Sequence, residues 1–297
     1  MSGTSGRYTR ERLDQALADV CAQAGLDPDG ATLIKFTVNA VYQLRQPVVV
    51  RISGSKAVAH RAPKVVAVAT WLAQHDFPAV RLLPGVAQPV QAGDHVATFW
   101  EQVPATGPEP TATDLGILLR RLHTLPEEIP LPQWDPLGDV RRRLDDAEGL
   151  NSADAAFLRT KAADLAVELH SLRPVLPPGP IHGDAQKGNL IGGPHGAVLA
   201  DFDSFCTGPR EWDLVPVAFG RARFSYPSGR HEALAASYGY DVTTWSGWPT
   251  LRAIRELKLI TSAVPVLRSR PTMAENFRHR LNTVINEDLT TKWVPYR

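Results

Sequence analysis

Sulfur is scarce in this chain: its 297 residues include two cysteines, Cys21 and Cys206, and two methionines. An isolated cysteine pair without CxxC spacing excludes a disulfide framework and a cysteine-rich zinc site, and it fits a reducing cytoplasm. An excess of one charge is missing as well. With a net charge of +1, the total implies neither a general attraction to nucleic acid nor a strongly acidic surface. No apolar run is long enough to span a bilayer, and the opening MSGTSGRYTRERLDQ holds no apolar stretch that could act as a signal sequence. A cytoplasmic protein with no membrane and no nucleic-acid partner is expected. GxxxxGK[ST] and GxGxxG are also absent, which removes the P-loop and dinucleotide-binding options.

What is present is apolar material for a substantial core, 43% of the residues. Leu13, Leu17, Val20 and Ala24 recur at helical spacing, predicting a helix from about Thr9 to Ala24. Residues 31–37, 40–44 and 47–53 are rich in Val, Ile, Thr, Phe and Tyr, and their close spacing predicts antiparallel hairpins. Val65, Val68, Ala69, Leu72 and Ala73 mark a helix ending near His75. Residues 79–83, 88–91 and 95–100 read as extended, the last two joined by the turn Ala92-Gly93-Asp94. PATGPEPTA, Pro104 to Ala112, is too proline-rich for a helix or a central strand and reads as a boundary. Beyond it the period is helical, with stripes at Leu115, Leu118, Leu119 and Leu122 and from Leu158 to Leu172, and further helices around 251–266 and 273–285. A small sheet-rich part with one helix thus precedes a larger helical part, an order that suggests a two-lobed kinase-like enzyme.

The stretch IHGDAQKGNLI, Ile181 to Ile191, carries the densest chemistry, and Asp201-Phe202-Asp203 follows it. Asn189 lies five residues after Asp184, and Asp201 lies twelve after Asn189. Leu190-Ile191 and Val198-Leu199 read as two short strands joined through GGPHG, which would hold Asn189 and Asp201 on facing backbone. Taken singly, His-Gly-Asp, the Asn and the two acids are ordinary turn residues. A metal-hydrolase site built from His182, Asp184, Asp201 and Asp203 is a further reading, against which stands the absence of a histidine pair such as HExxH.

Taken together, the residues resemble the catalytic and metal-binding loops of eukaryotic-like kinases, and the HGD form resembles the aminoglycoside phosphotransferase family, which also includes choline and sugar kinases. The resemblance implies an α+β, two-lobed protein kinase-like fold, with a small antiparallel-sheet lobe over residues 1–103 for the nucleotide. The larger, mainly helical lobe over 104–297 would hold the catalytic and substrate-binding groups. It implies that Asp184 accepts or orients the proton of an attacking hydroxyl, and that Asn189 and Asp201 hold Mg2+. Asp203 would support that pair or contact the magnesium itself. GPREWDLVPVA resembles the family segment ending in an Asp-Leu pair, so that Asp213 would brace the catalytic loop together with His182; capping a helix N-terminus is the other reading of Asp213.

The same resemblance implies ATP or GTP as phosphate donor. Thr37-Val38-Asn39-Ala40 resembles the hairpin that covers the phosphates, making Thr37 and Asn39 nucleotide contacts; the same residues also read simply as a turn. Arg51, in VVVRI, stands in the place of the kinase strand lysine and would meet phosphate with a planar fork. Where the family has a glutamate on the next helix, this chain has Val65, preceded by Lys64. FWEQV, with Trp100 and Gln102, is the expected hinge against a purine edge. His123 is expected to pack.

The last third, from Asp213, carries twelve Arg or Lys against seven Asp or Glu. A polycationic acceptor is best held by opposite charge, so this excess favours neutral or anionic hydroxyl compounds, such as a sugar or a nucleoside-type antibiotic, over aminoglycosides. Glu211, Glu232, Asp241 or Glu256 could still line an acidic pocket, and Trp212, Trp245 and Trp248 could stack on a sugar or base, although packing is their commoner use. The expectation is a small-molecule O-phosphotransferase acting on a sugar-containing antibiotic or a sugar. A non-catalytic nucleotide-binding regulator, a pseudokinase, is the alternative, motivated by Val65 in place of the helix Glu and by the atypical first loop around Thr37 to Ala40.

Overall fold

The computed structural model describes residues 10–36, 39–53, 59–93, 95–147, 149–267 and 271–296. Thr37, expected to meet the nucleotide, lies outside the described residues. The chain divides into two compact units that interleave in sequence. Unit 1 comprises Met1–Pro110, Pro126–Leu131 and Gly188–Phe205, and unit 2 comprises Thr111–Leu125, Pro132–Lys187 and Cys206–Arg297.

Unit 1 is built on a five-stranded antiparallel sheet. Its strands are β1 (Thr32–Phe36), β2 (Asn39–Gln43), β3 (Val48–Ser53), β4 (Val90–Ala92) and β5 (His95–Glu101), in the order β1-β2-β3-β5-β4. Alternation along β3 buries Val48, Val50 and Ile52 and leaves Arg51 on the opposite face, as a period of two requires. Helix α1 (Arg10–Ala24) lays Leu13, Leu17 and Val20 onto the buried face of the sheet with Tyr42, Val50, Ile52 and Phe99. The Tyr42 hydroxyl reaches through this core to Asp14 Oδ1 at 3.0 Å. The expected strand at 79–83 appears only as isolated bridges, Ala79 with Leu199 and Leu82 with Trp100, because Pro78 and Pro84 bracket it and limit its ladder.

Helix α2 (Ala62–Gln74) buries Val65, Val68, Ala69, Trp71 and Leu72. Two further strands, β7 (Leu190–Gly193) and β8 (Gly196–Leu199), form the expected hairpin. It is attached to the rest of unit 1 by Val80 N–H to Leu199 O and Leu199 N–H to Pro78 O, each 2.9 Å. The proline-rich segment docks on it: Gly107 N–H donates to Gly192 O, and a Cβ at Gly107 would stand 2.1 Å from Gly193 O. Only glycine permits that approach.

Unit 2 is mainly helical. It contains α3 (Ala112–Leu122), α4 (Pro136–Asp145), α5 (Ser152–Ser171), α6 (Glu211–Arg223), α7 (Ser228–Tyr238), α8 (Trp248–Thr261) and α9 (Pro271–Ile285). A two-stranded sheet pairs β6 (Gly179–Ile181) with β9 (Cys206–Gly208). Helix α3 opens with a capping box in which Thr111 and Asp114 satisfy each other's backbone N–H groups. Gly116, on the same helix, lets the α7 backbone approach at Leu234. Cys21 and Cys206 are both buried, and no disulfide joins them. No helix among the described residues is long and apolar enough to cross a membrane.

Candidate active site

The β7–β8 hairpin sets the geometry of the first cluster, in unit 1. Leu190 pairs with Leu199, and Ala200 N–H donates to Asn189 O at 2.9 Å. Asn189 and Asp201 therefore emerge from the same end of two paired strands. Asn189 is buried, whereas the Asp201 side chain is 40% exposed. Asp201 has φ 67° and ψ 75°, a left-handed conformation for a residue with a Cβ. Such backbone costs about 1–3 kcal/mol and persists where surrounding structure imposes it. It caps no helix with its carboxylate, which stands 3.5 Å from Arg51 Nη2.

Asp203 is held more firmly. Arg51 Nη2 contacts its Oδ2 directly, Asn39 Nδ2 donates to the same oxygen at 3.1 Å, and Lys64 Nζ donates to the carbonyls of Asp203 and Phe205 at 2.6 and 2.8 Å. Burial pushes the Asp203 carboxyl up, but the adjacent Arg51 guanidinium, with Arg61 and Asn39, outweighs it and holds the group below its usual value. Lys64 thus ties α2 to the acidic loop through backbone carbonyls, while Val65 beside it lies in the core.

Trp100 and Gln102 hold different positions at the end of β5. The Trp100 ring is buried edge-on against Phe202, and its Nε1–H donates to Thr98 Oγ1 at 2.8 Å. Gln102 is exposed, and its backbone N–H is committed to Pro47 O at 2.9 Å.

The second cluster lies in unit 2, on the loop leaving β6. Asp213 in the first turn of α6 accepts from His182 N–H through Oδ2 and from Gly183 N–H through Oδ1, each at 2.7 Å. The helix-capping alternative does not hold: the residue at the cap position is Arg210, and no side chain caps that helix. His123, at the end of α3, adds its Nε2 to Asp213 Oδ2 at 3.1 Å and its Nδ1 to the Tyr238 hydroxyl at 2.8 Å. The packing expected of His123 is thereby joined to orienting the carboxylate. Gly183 has φ +81°, a turn that suits glycine, and its carbonyl accepts from Trp212 Nε1 at 2.9 Å. The His182 ring is fully buried, with Nδ1 accepting from Asp184 N–H at 3.3 Å.

Asp184 projects from this braced loop with its side chain 32% exposed. Its Oδ1 is 2.8 Å from Arg255 Nη2, and Gln186 Nε2 donates to Oδ2 at 3.2 Å. Burial pushes its carboxyl up, and Arg255 outweighs that, with Lys258 adding to the pull, so the group sits below its usual value. Arg255 and Lys258, one turn apart on α8, are functional candidates that motif reasoning missed. Their only trace in the sequence was the basic excess of the last third.

The tryptophans are mainly packing. Trp212 is 1% exposed under Lys258, and Trp245 is buried, while Trp248 is half-buried at the start of α8. Among the described residues, no group of three or more His, Cys, Asp or Glu is placed to hold a metal ion. A pair made of an amide and a carboxylate, as at Asn189 and Asp201, remains suited to a hard cation that keeps other oxygen ligands.

Solved structures share this fold across nearly their whole length. An amicoumacin kinase in complex with AMP-PNP, Ca2+ and Ami superposes with a TM-score of 0.67 at 14% identity, over 97% of this chain and 96% of that one. A choline/ethanolamine kinase family protein from Mesorhizobium loti gives 0.61 at 15% identity, over 93% and 92%. Spectinomycin phosphotransferase APH(9)-Ia, in complex with ADP and spectinomycin, gives 0.60 at 15%, over 95% of each chain. The α+β, protein kinase-like fold is common to them all. No curated protein sequence matches the chain. The profile of the phosphotransferase enzyme family, APH, matches residues 37–254, and the chain belongs to that family.

Proposed function

We propose that the chain transfers the γ-phosphoryl group of ATP or GTP to a hydroxyl of a small molecule, in a reaction that depends on Mg2+. The acceptor class we assign is a sugar or a sugar-containing antibiotic. The observation that carries this reading is the hairpin pair of Asn189 and Asp201, with Asp201 held in left-handed backbone and its carboxylate uncommitted to any helix cap. In this reading residues 1–103 form the nucleotide lobe and 104–297 the catalytic and acceptor lobe.

Asn189 and Asp201 would hold the ion through an amide oxygen and a carboxylate, the hard ligands it prefers. Mg2+ held there would supply positive charge that offsets the charge of the phosphate oxygens. Arg51 adds a fixed positive fork to the same phosphates, and Asn39, through Asp203, keeps it in place. Asp184 takes the hydroxyl proton. Being ionised at neutral pH, it can accept that proton as the new O–P bond forms. His182 and Asp213 fix its loop, since three donors converge on the Asp213 carboxylate.

Two observations favour the pseudokinase reading: Arg51 is engaged by Asp203, and α2 has Val65 in place of an acid. A mass-shift screen of sugars, nucleoside antibiotics and aminoglycosides, run with MgATP and MgGTP, separates the two. Phosphorylated product that falls by ~10²-fold or more in Asp184→Ala, with nucleotide binding retained, supports the transferase. A nucleotide-induced thermal shift with no product from any acceptor supports the pseudokinase.

A further inference from the structure

Unit 2 surrounds Asp184 with positive charge, and the acids that could offset that charge are used elsewhere. Arg255 and Lys258 stand three residues apart on α8, hence on one face of it. Arg255 reaches Asp184, and Lys258 Nζ donates to Asp139 Oδ2 at 3.1 Å. Arg142 meets the same Asp139 at 2.6 Å, and Arg143 Nη1 donates to Lys258 O at 2.8 Å. Four cations are linked here with two acids.

The acids that might have formed a wall for a cationic acceptor all have partners. Glu211 accepts the backbone N–H groups of Val175 and Leu176 at 2.6 and 2.7 Å. Glu232 pairs with Arg221, and Asp241 meets His231 and caps Thr243. Glu256 is buried between Arg223 and Arg252. A polyamine brought to Asp184 would meet Arg255 first, and like charges there are costly.

Arg255 itself carries the decisive feature. It is 8% exposed, it is permanently charged, and its Nε–H is buried with no hydrogen-bond partner among the described residues. A buried donor left unmade is uncommon, and a guanidinium fork is matched by the paired oxygens of a carboxylate or phosphate.

We propose that Arg255 is an anion subsite of the acceptor: the hydroxyl compound carries a carboxylate or phosphate group near the hydroxyl that is phosphorylated, and that group binds the Arg255 guanidinium. The inference rests on the reading of Asp184 as the base. Because one guanidinium nitrogen already holds Asp184, an anion on Nε–H sets the acceptor's hydroxyl beside that carboxylate. Selection and orientation then come from one side chain.

The test titrates D-gluconate, D-glucose 6-phosphate, D-glucose and D-glucosamine into the full chain loaded with MgADP, with binding read by calorimetry. One or both anionic probes should bind about tenfold or more tightly than glucose and glucosamine, a difference expected of a charge-assisted fork. A carboxylate preference shows as gluconate leading, and a phosphate preference as glucose 6-phosphate leading. In Arg255→Gln the anionic probes should fall to the level of glucose. Lys258→Gln, which leaves the Arg255 fork intact, should keep most of the preference and serves where Arg255→Gln does not fold. Glucosamine binding best, anions binding equally to wild type and Arg255→Gln, or no probe binding to a chain that holds MgADP overturns the subsite alone. Failure to bind MgADP overturns the transferase reading as well.

Discussion

Arg51 and Asp203 meet directly, guanidinium to carboxylate, although 152 residues separate them in the chain. The acid that partners the β3 cation therefore comes from the loop after β8 and not from α2, where Val65 fills a core position. Lys64 reinforces the arrangement by holding the Asp203 and Phe205 carbonyls. In the proposed reading Asp203 is a positioning residue for Arg51, the arginine assigned to the phosphates. Arg51→Ala is expected to raise the KM for nucleotide about tenfold or more, the scale of one charge-assisted contact. Asp203→Asn should act in the same direction, and the double variant should cost less than the two together, because both remove one interaction. Additive losses measured in this cycle would separate the two residues.

The pH profile should report on Arg255. A carboxyl with a depressed pKa stays ionised until pH falls to its own lowered value. With Asp184 as the proposed base, the acid-side decline in kcat/KM should lie below the usual carboxylate range in the wild-type chain. In Arg255→Gln burial loses its main offset, and the acid limb should move toward neutral pH by roughly one unit or more. The same sign governs stability: the Asp184–Arg255 pair contributes fully above the unfolded-state pKa and is lost as pH falls through the folded one. Profiles measured from about pH 3 to pH 8 decide the matter, and an unmoved limb would remove Arg255 from control of Asp184.

Gly107→Ala tests the support of the hairpin. Its new Cβ would press on the Gly193 carbonyl at 2.1 Å, so the proline-rich segment or the hairpin must shift. A destabilisation of about 1–3 kcal/mol is expected from such overpacking. Magnesium-dependent nucleotide binding should weaken with it, since Asn189 and Asp201 sit at the far end of the same strands. Full stability in a denaturant titration would show that the contact is dispensable.

Much of this arrangement was legible in local patterns. The stripe of Leu13, Leu17 and Val20 gave α1, and β2 and β3 lie within a residue of the expected spans because alternation and β-branched content agree there. The short strands around Asn189 and Asp201 were equally plain. Helix α6 was not, because it is buried nearly all round and holds Pro216, so it shows neither a one-sided stripe nor an uninterrupted helical composition. Helix α4, PLGDVRRRLD, is short and dominated by charge. At the site, the spacing of Asp184, Asn189 and Asp201 is local and readable. The partners Arg255 to Asp184 and Arg51 to Asp203 are joined by tertiary structure, and an ion pair between distant positions leaves no period behind.

The most direct test is calorimetric titration of ATP into the wild-type chain and Asp201→Ala, with and without Mg2+. Magnesium should tighten ATP binding to the wild type, and Asp201→Ala should lose that gain by about tenfold or more, as expected when a ligand of the ion is removed. Equal magnesium-dependent affinity in the two proteins would contradict the assignment of Asp201, and with it the proposed route of phosphoryl transfer.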